Sequence, residues 1–303
     1  MRKALIAVLA LLVFQTTSAL AQTSAPTFNV LTRMTMVQSQ YGRGTIFSLD
    51  VDGREYWITA KHIVTGAEHP PYGAVTAKSE SLEILNPGSP GEQWLPVTFS
   101  VIDTEMDVDI VVLAAPKPLL TNPMSSVTAD ATGAFFGGDC EFLGFPYGGG
   151  WRGTFAGPNG NTSFWMPFTK HCTISAMSSA GSVMTEQDKK IWVLDGINNA
   201  GFSGGPVIFR TGTDQRIMAV ISGYITEPTE VNSTVQEKSV TKKPKPITSE
   251  AQHKQTVSVN SGFILAFDIS YAITAIHNNP IGPLRQTKER EAGRSLAGQP
   301  GAK

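Results

Sequence analysis

Apolar positions in this chain come in short blocks separated by glycine, proline, asparagine and aspartate. Gly42 to Leu49 predicts a strand entered through a glycine pair. Asp50-Val51-Asp52-Gly53 predicts a hairpin turn, and Arg54 to Ala60 the returning strand. Further strands are predicted near Ser81 to Leu85, over Trp94 to Ile102 and over the apolar run Ile110 to Leu113. Others fall over Ala134 to Phe145, Phe164 to Ala176, Ile191 to Leu194, Val207 to Arg210, Ile217 to Ile225 and Val257 to Phe267. Many short strands with turn signals between them describe an all-β chain. One short helix is predicted near the end, where Asp268 can act as cap and Ile269, Ile273 and Ile276 fall on one face.

The segments between these blocks divide the chain. Residues 116–130, with Pro116, Pro118 and Pro123, read as a linker between an N-terminal unit, 22–115, and a C-terminal unit, 131–280. Tyr147 to Thr162 is rich in glycine and reads as a flexible surface loop. Its Gly148-Gly149-Gly150 has neither the lysine nor the spacing of a phosphate-binding loop. Residues 226–256 are polar, contain Lys242-Lys243-Pro244-Lys245-Pro246, and read as a mobile insertion with little to bury. Residues 281–303 read as a disordered tail.

Composition changes the picture mainly at the N-terminus. Arg2 and Lys3, the apolar run Ala4 to Phe14 and the small residues of Ala19-Leu20-Ala21 predict a signal peptide, 1–21, removed before Gln22. The run is short for a membrane span of about 20 residues. Export to the periplasm or the exterior, as a soluble protein without a membrane anchor, is the expectation. Removal of the two cations Arg2 and Lys3 with no acids moves the formal charge from −1 to −3. A balance so near neutral argues against nucleic acid as a partner. Cys140 and Cys172 are the two cysteines; both lie in predicted strands of the C-terminal unit, and an oxidising compartment favours a disulfide between them over two buried thiols. No Cys/His cluster has the spacing of a zinc site, so neither a metal nor another cofactor is expected.

Three side chains then acquire chemical meaning. Ser203 lies in Gly201-Phe202-Ser203-Gly204-Gly205-Pro206-Val207, whose small residues suit a sharp turn that holds a hydroxyl out of a β-rich core. A serine hydroxyl is a poor nucleophile without a base and an orienting acid. His62 sits just past the strand ending Trp57-Ile58-Thr59-Ala60-Lys61. Asp109 directly abuts the apolar run 110–113, where a carboxylate needs a buried partner. The neighbouring Asp103, Glu105 and Asp107 read as acids of a solvated loop.

With these motifs in view, the chain resembles a trypsin-like (chymotrypsin-fold) serine peptidase of the bacterial secreted or periplasmic type. Thr59-Ala60-Lys61-His62, Asp109-Ile110-Val111-Val112-Leu113 and Gly201-Phe202-Ser203-Gly204-Gly205-Pro206 carry the resemblance, with Gly42-Arg43-Gly44-Thr45 and Ala219-Val220-Ile221-Ser222-Gly223 in support. It implies two packed six-stranded antiparallel β-barrels with the active site between them and a short C-terminal helix. It implies a serine endopeptidase acting on polypeptide through an acyl-enzyme: Ser203 as nucleophile, His62 as general base, Asp109 as its orienting partner, and the N–H groups of Gly201 and Ser203 as oxyanion hole. Ser222 would support the aspartate, Ser222, Gly223 and Tyr224 would pair with an extended substrate, and Ile197 would sit at the base of the primary pocket and favour small or aliphatic side chains. Phe202, Lys61 and the missing Ile-Val-Gly-Gly-type segment depart from the best-known members. An esterase built on a nucleophile elbow is disfavoured, because strand and not helix follows Ser203. A non-catalytic relative that binds peptides or proteins is the remaining alternative.

Overall fold

The computed structural model describes residues 26–86, 92–120, 127–157, 160–178, 189–234 and 252–285. The signal-peptide prediction, the linker centre 121–126 and the tail beyond residue 285 lie outside these residues. A short helix, α1 (Phe28–Leu31), precedes β1 (Met34–Gln38), β2 (Arg43–Val51) and β3 (Arg54–Thr59). β2 and β3 form the predicted hairpin, with both Asp52 (φ 50°) and Gly53 (φ 72°) left-handed at its tip. That is the turn geometry whose twist matches two antiparallel strands. The helical turn α2 (Lys61–Thr65) follows, then β4 (Ser79–Leu85), β5 (Trp94–Asp103) and β6 (Val111–Ala114). In the order β1-β2-β3-β6-β5-β4, with β4 pairing back to β1, these six strands close into a barrel. β6 is buried along its whole length, as its unbroken apolar sequence requires.

The second half contains β7 (Thr128–Ala129), β8 (Asp139–Gly144), a 3₁₀ turn (Pro146–Gly148), β9 (Trp151–Gly157), β10 (Gly160–Met166), β11 (Phe168–Ser178) and β12 (Ile191–Asp195). It ends with β13 (Pro206–Thr211), β14 (Asp214–Thr234), β15 (Gln252–Asp268) and the helix α3 (Ser270–Asn278). The strands run β13-β8-β11-β12-β15-β14, and a β13–β14 pairing closes this second ring of six; β7 adds to β14 in parallel. The protein is therefore all-β with two six-stranded rings and one short C-terminal helix, as expected. Cys140 and Cys172 face each other across β8 and β11 and form a disulfide.

α3 joins the two rings. Asp268 accepts the Ser270 N–H at 3.0 Å, and Ile269, Ala272 and Ile276 are buried in a cluster that contains Phe47 and Val112 of the first ring and Leu143, Val220 and Phe267 of the second. Among the described residues no helix is long and apolar enough to cross a membrane.

Four expectations need correction. The glycine-rich segment 147–162 is not a loose loop: Tyr147 belongs to the 3₁₀ turn, and β9 and β10 pair as a hairpin. The insertion 226–256 is not mobile throughout, because 226–234 and 252–256 continue β14 and β15 as a paired ribbon; residues 235–251 lie outside the described part. Backbone pairing sustains this ribbon where burial does not, since Thr226 to Glu230 are all exposed. The tail does not begin at 281. Leu284 bridges to Arg54, and the Arg285 guanidinium sits against Asp50 (Nε–Oδ1 2.5 Å), Glu55 and the Leu120 carbonyl. The linker 116–130 is also more than a spacer, since it contains β7 and its Leu119 N–H donates to Glu55 at 2.8 Å.

Candidate active site

β3 ends at Thr59, and after Ala60 one helical turn begins at Lys61. That turn closes at Gly66, whose φ of 77° lets its N–H reach the His62 carbonyl at 2.8 Å. A β-carbon at Gly66 would lie 2.6 Å from the Tyr41 ring, so both conformation and space require glycine. His62 is thereby fixed on a rigid strand end. Its backbone N–H donates to Asp109 Oδ1 at 2.8 Å, and its ring Nδ1 meets Asp109 Oδ2 at 2.7 Å. An ionised carboxylate can only accept, so Nδ1 carries the proton and Nε2 keeps its lone pair.

Asp109 is fully buried, and a third donor, the Ser222 hydroxyl at 2.5 Å, completes its satisfaction. Ser222 owes its position to a β-bulge. In the β14–β15 ladder Ile221 faces Ala266 and Gly223 faces Leu265, which leaves Ser222 as the extra residue. Its carbonyl is therefore left outside the ladder and free for the site. The hydroxyl goes to Asp109, while the carbonyl accepts the Ser203 hydroxyl at 3.2 Å. Ser222 thus links the buried acid to the serine, and the Ser203 hydroxyl is bonded to Ser222 and not to His62.

Burial disfavours a charged His62, but the Asp109 charge, the hydrogen bond to it and the Glu68 charge together outweigh that effect. The imidazole pKa stands above its ordinary value. Tyr72, whose hydroxyl lies 3.5 Å from Ser222 Oγ, is pushed up to about 12, first by burial and then by the nearby Asp109 charge.

The serine turn is held from both rings. Gly201 has φ 101°, and a β-carbon there would lie 2.3 Å from the Phe145 carbonyl; at Gly204, φ 81°, it would lie 2.2 Å from the Thr45 carbonyl. Thr45 of β2 is the central fastener. Its N–H donates to Ser203 O (2.8 Å), its hydroxyl donates to Gly201 O (2.8 Å), and the same hydroxyl accepts the Phe145 N–H (3.1 Å). The Tyr147 N–H takes the Ala200 carbonyl at 2.8 Å. In a trans peptide the Gly201 N–H points the opposite way. Among the described residues neither that N–H nor the one of Ser203 has an acceptor. Phe202 is fully buried, edge-on to Phe142 with centroids 5.0 Å apart and with the Lys170 ammonium 5.3 Å from its ring. The residue that departed from the motif is an anchor of the turn in the second ring's core.

Around the cleft, Gly223 O accepts Asn198 Nδ2 at 3.4 Å and Tyr224 is exposed. Ile197 does not have the burial of a pocket floor, since it is 63% exposed; its carbonyl is held by Lys170 Nζ at 2.7 Å, and the buried member of that pair is Asn198. Asp103 is not a solvated acid either. It pairs at 2.8 Å with Lys61, whose side chain is 0% exposed. Thr45, Tyr72, Tyr147 and this pair went unread in the sequence. The one available signal was the threonine after the Gly42–Gly44 pair, at a strand entry shared with the resemblance. Among the described residues no group of His, Cys, Asp and Glu side chains could hold a metal ion. A cavity of about 260 Å³ beside the disulfide, lined by Phe135, Cys140, Ile174 and Phe209, contains none of the site residues.

No family model matches the sequence, and no curated protein matches it. Solved structures do resemble the fold. The Rv3671c protease of M. tuberculosis H37Rv, in an inactive form, is 15% identical over 82% of this chain and 89% of its own, with a TM-score of 0.45. The HtrA-type protease AlgW with a decapeptide is 12% identical over 84% of this chain and 67% of its own, with a TM-score of 0.46. The thermostable serine protease AL20, from an extremophilic microorganism, is 10% identical over 81% of this chain and 95% of its own, with a TM-score of 0.46. At such identities and scores the chemistry must be read from the site's own residues.

Proposed function

We propose that this chain is an exported serine endopeptidase that hydrolyses polypeptide through an acyl-enzyme. The observation that carries the reading is the fully buried Asp109 carboxylate, which receives both N–H groups of His62 and, through Ser222, is one residue away from the Ser203 hydroxyl. The reading requires the Ser203 hydroxyl to leave Ser222 O for the lone pair of Nε2. His62 then takes the proton as Ser203 Oγ attacks the scissile carbonyl, and returns it to the leaving amine. Asp109 holds the imidazole in the required tautomer and stabilises its charged form. The outward N–H groups of Gly201 and Ser203 receive the oxyanion. The backbone of Ser222 to Tyr224 pairs with the acyl half of the substrate as an added strand. Export fits the disulfide and the N-terminal sequence.

Turnover of an unfolded protein by the mature chain and by Ser203→Ala tests the reading. Loss of the nucleophile in a site of this kind costs on the order of 10⁶ in turnover. Equal cleavage by the two proteins refutes Ser203 as nucleophile, and no cleavage by either leaves a protein that binds peptides without cutting them.

A further inference from the structure

A lysine ammonium withdrawn from water is retained only where acceptors replace its hydration. Lys61 meets that condition in full: its three donors find Asp103 Oδ1 (2.8 Å), Glu105 O (2.8 Å) and Thr104 O (3.2 Å). All three acceptors lie where β5 gives way to the irregular segment that carries Asp109. The same entry is tied down elsewhere. Asp103 Oδ2 accepts the Val75 N–H (2.9 Å) and Asp103 Oδ1 the Thr104 N–H (2.9 Å). Further along, Thr104 Oγ1 donates to Ile110 O (2.5 Å) and the Val108 N–H to Glu105 O (3.0 Å). A loop is by default the mobile part of a fold. This one must deliver a carboxylate to two nitrogens of His62, and its entry is moored to the residue immediately before that histidine.

We propose, resting on the peptidase reading above, that the Lys61–Asp103 pair is a positioning device that fixes the Asp109-bearing loop against the His62 turn. A single side chain on α2 thereby sets the distance between base and orienting acid. Neither residue touches the reacting atoms. Their effect passes through the His62–Asp109 contact, and the lysine preceding the histidine has a function that its place in the motif did not announce. The charged and titratable groups acting on His62 are Asp109 and Glu68, with the Ser222 hydroxyl on the far side of the carboxylate.

The test uses Lys61→Met, which keeps the length of the side chain and removes the ammonium, and Asp103→Asn, which removes the partner charge at a partly exposed position. Four quantities are read: kcat and KM on a peptide substrate, the melting temperature, and the His62 imidazole titration by NMR in a Ser203→Ala background, which needs no turnover. Displacement of a reacting group by about 1 Å costs up to about 100-fold. Lys61→Met is therefore expected to lower kcat by about 10- to 100-fold with KM within about two-fold. Its His62 pKa should move down toward ~6.5, because Asp109 recedes while burial remains. Asp103→Asn should show the same changes in smaller measure. A lower melting temperature with kcat per active site and the His62 titration both at parental values overturns the proposal and makes the pair a packing feature. Should Lys61→Met not fold, Asp103→Asn decides by the same readings. If the parent proves inactive, the peptidase reading fails, and the His62 titration alone still decides whether the pair positions Asp109.

Discussion

Thr45→Val removes one hydroxyl and almost no volume from the junction between the two rings. The hydroxyl donates to Gly201 O at 2.8 Å and accepts from the Phe145 N–H at 3.1 Å, and Thr45, Gly201 and Phe145 are all buried. Valine leaves both partners unmatched, at about 1–3 kcal/mol each before relaxation. Allowing for partial relaxation, a loss of about 3 kcal/mol is expected. A chain of about 280 residues unfolds with an entropy near 0.6 kcal/mol/K, so the melting temperature should fall by about 5 °C if the two rings unfold together. The same hydroxyl pins the carbonyl of the residue whose N–H is assigned to the oxyanion. Complete removal of an oxyanion donor costs about 10²–10³ in kcat, and a donor that is loosened should cost about 10- to 100-fold. Differential scanning calorimetry and steady-state kinetics, normalised to sites titrated by an organophosphonate, give both numbers. Thr45→Ser, which restores the hydroxyl, should recover most of each loss. A valine variant within about 1 °C of the parent and equal to it in kcat would show that these two bonds contribute neither stability nor alignment.

Two further outcomes follow from the charged groups. The active form of His62 is neutral and its pKa is raised, so the acid limb of kcat/KM should lie above the ordinary ~6.5; a profile over about pH 5 to 9 with its limb at or below ~6.5 contradicts the assigned environment. By linkage, the stability drawn from protonated His62 is fully present below ~6.5 and is lost as pH rises through the higher folded value. Arg285→Met deprives the fully buried Glu55 and the nearby Asp50 of their shared guanidinium. Breaking a buried pair costs about 3–5 kcal/mol, and the Arg33 that Asp50 retains and the two N–H donors that Glu55 retains place the expectation at the lower end. Unfolding by urea should show this as a lower midpoint at constant slope, and an unchanged midpoint would mean that the C-terminal clasp contributes nothing.

The features legible in the sequence were those that backbone geometry forces into particular residue types. Gly201 and Gly204 have left-handed φ and no room for a β-carbon, so the serine turn could be written in few other ways. The strands with one buried face or two, such as β3 and β6, declared themselves by apolar positions. The β14 part of the outer ribbon did not, because Thr226 to Glu230 are all exposed and give no buried face to mark a period. β9 and β10 were hidden by glycines that count locally as breakers and are tolerated once a partner strand supplies the hydrogen bonds. The Lys61–Asp103 pair and the Arg285 clasp join residues far apart in the chain, and no local pattern announces which charges will find each other. Ser222 was read from resemblance; the reason it serves, a bulge that leaves its carbonyl outside the backbone pairing, exists only in the ladder.

On the peptidase reading, the Thr45 junction also bears on when the site is assembled. His62, Asp109 and Thr45 belong to the half of the chain synthesised first, and Ser203, Ser222 and Phe145 to the half synthesised last. The first ring alone lacks the proposed nucleophile, and the second alone lacks both the proposed base and the hydroxyl that pins Gly201. On that reading, a chain interrupted between the two halves lacks part of the assigned machinery. The proposed chemistry then requires β2 to close on the serine turn, so completion of the chain would itself be the event that assembles the site.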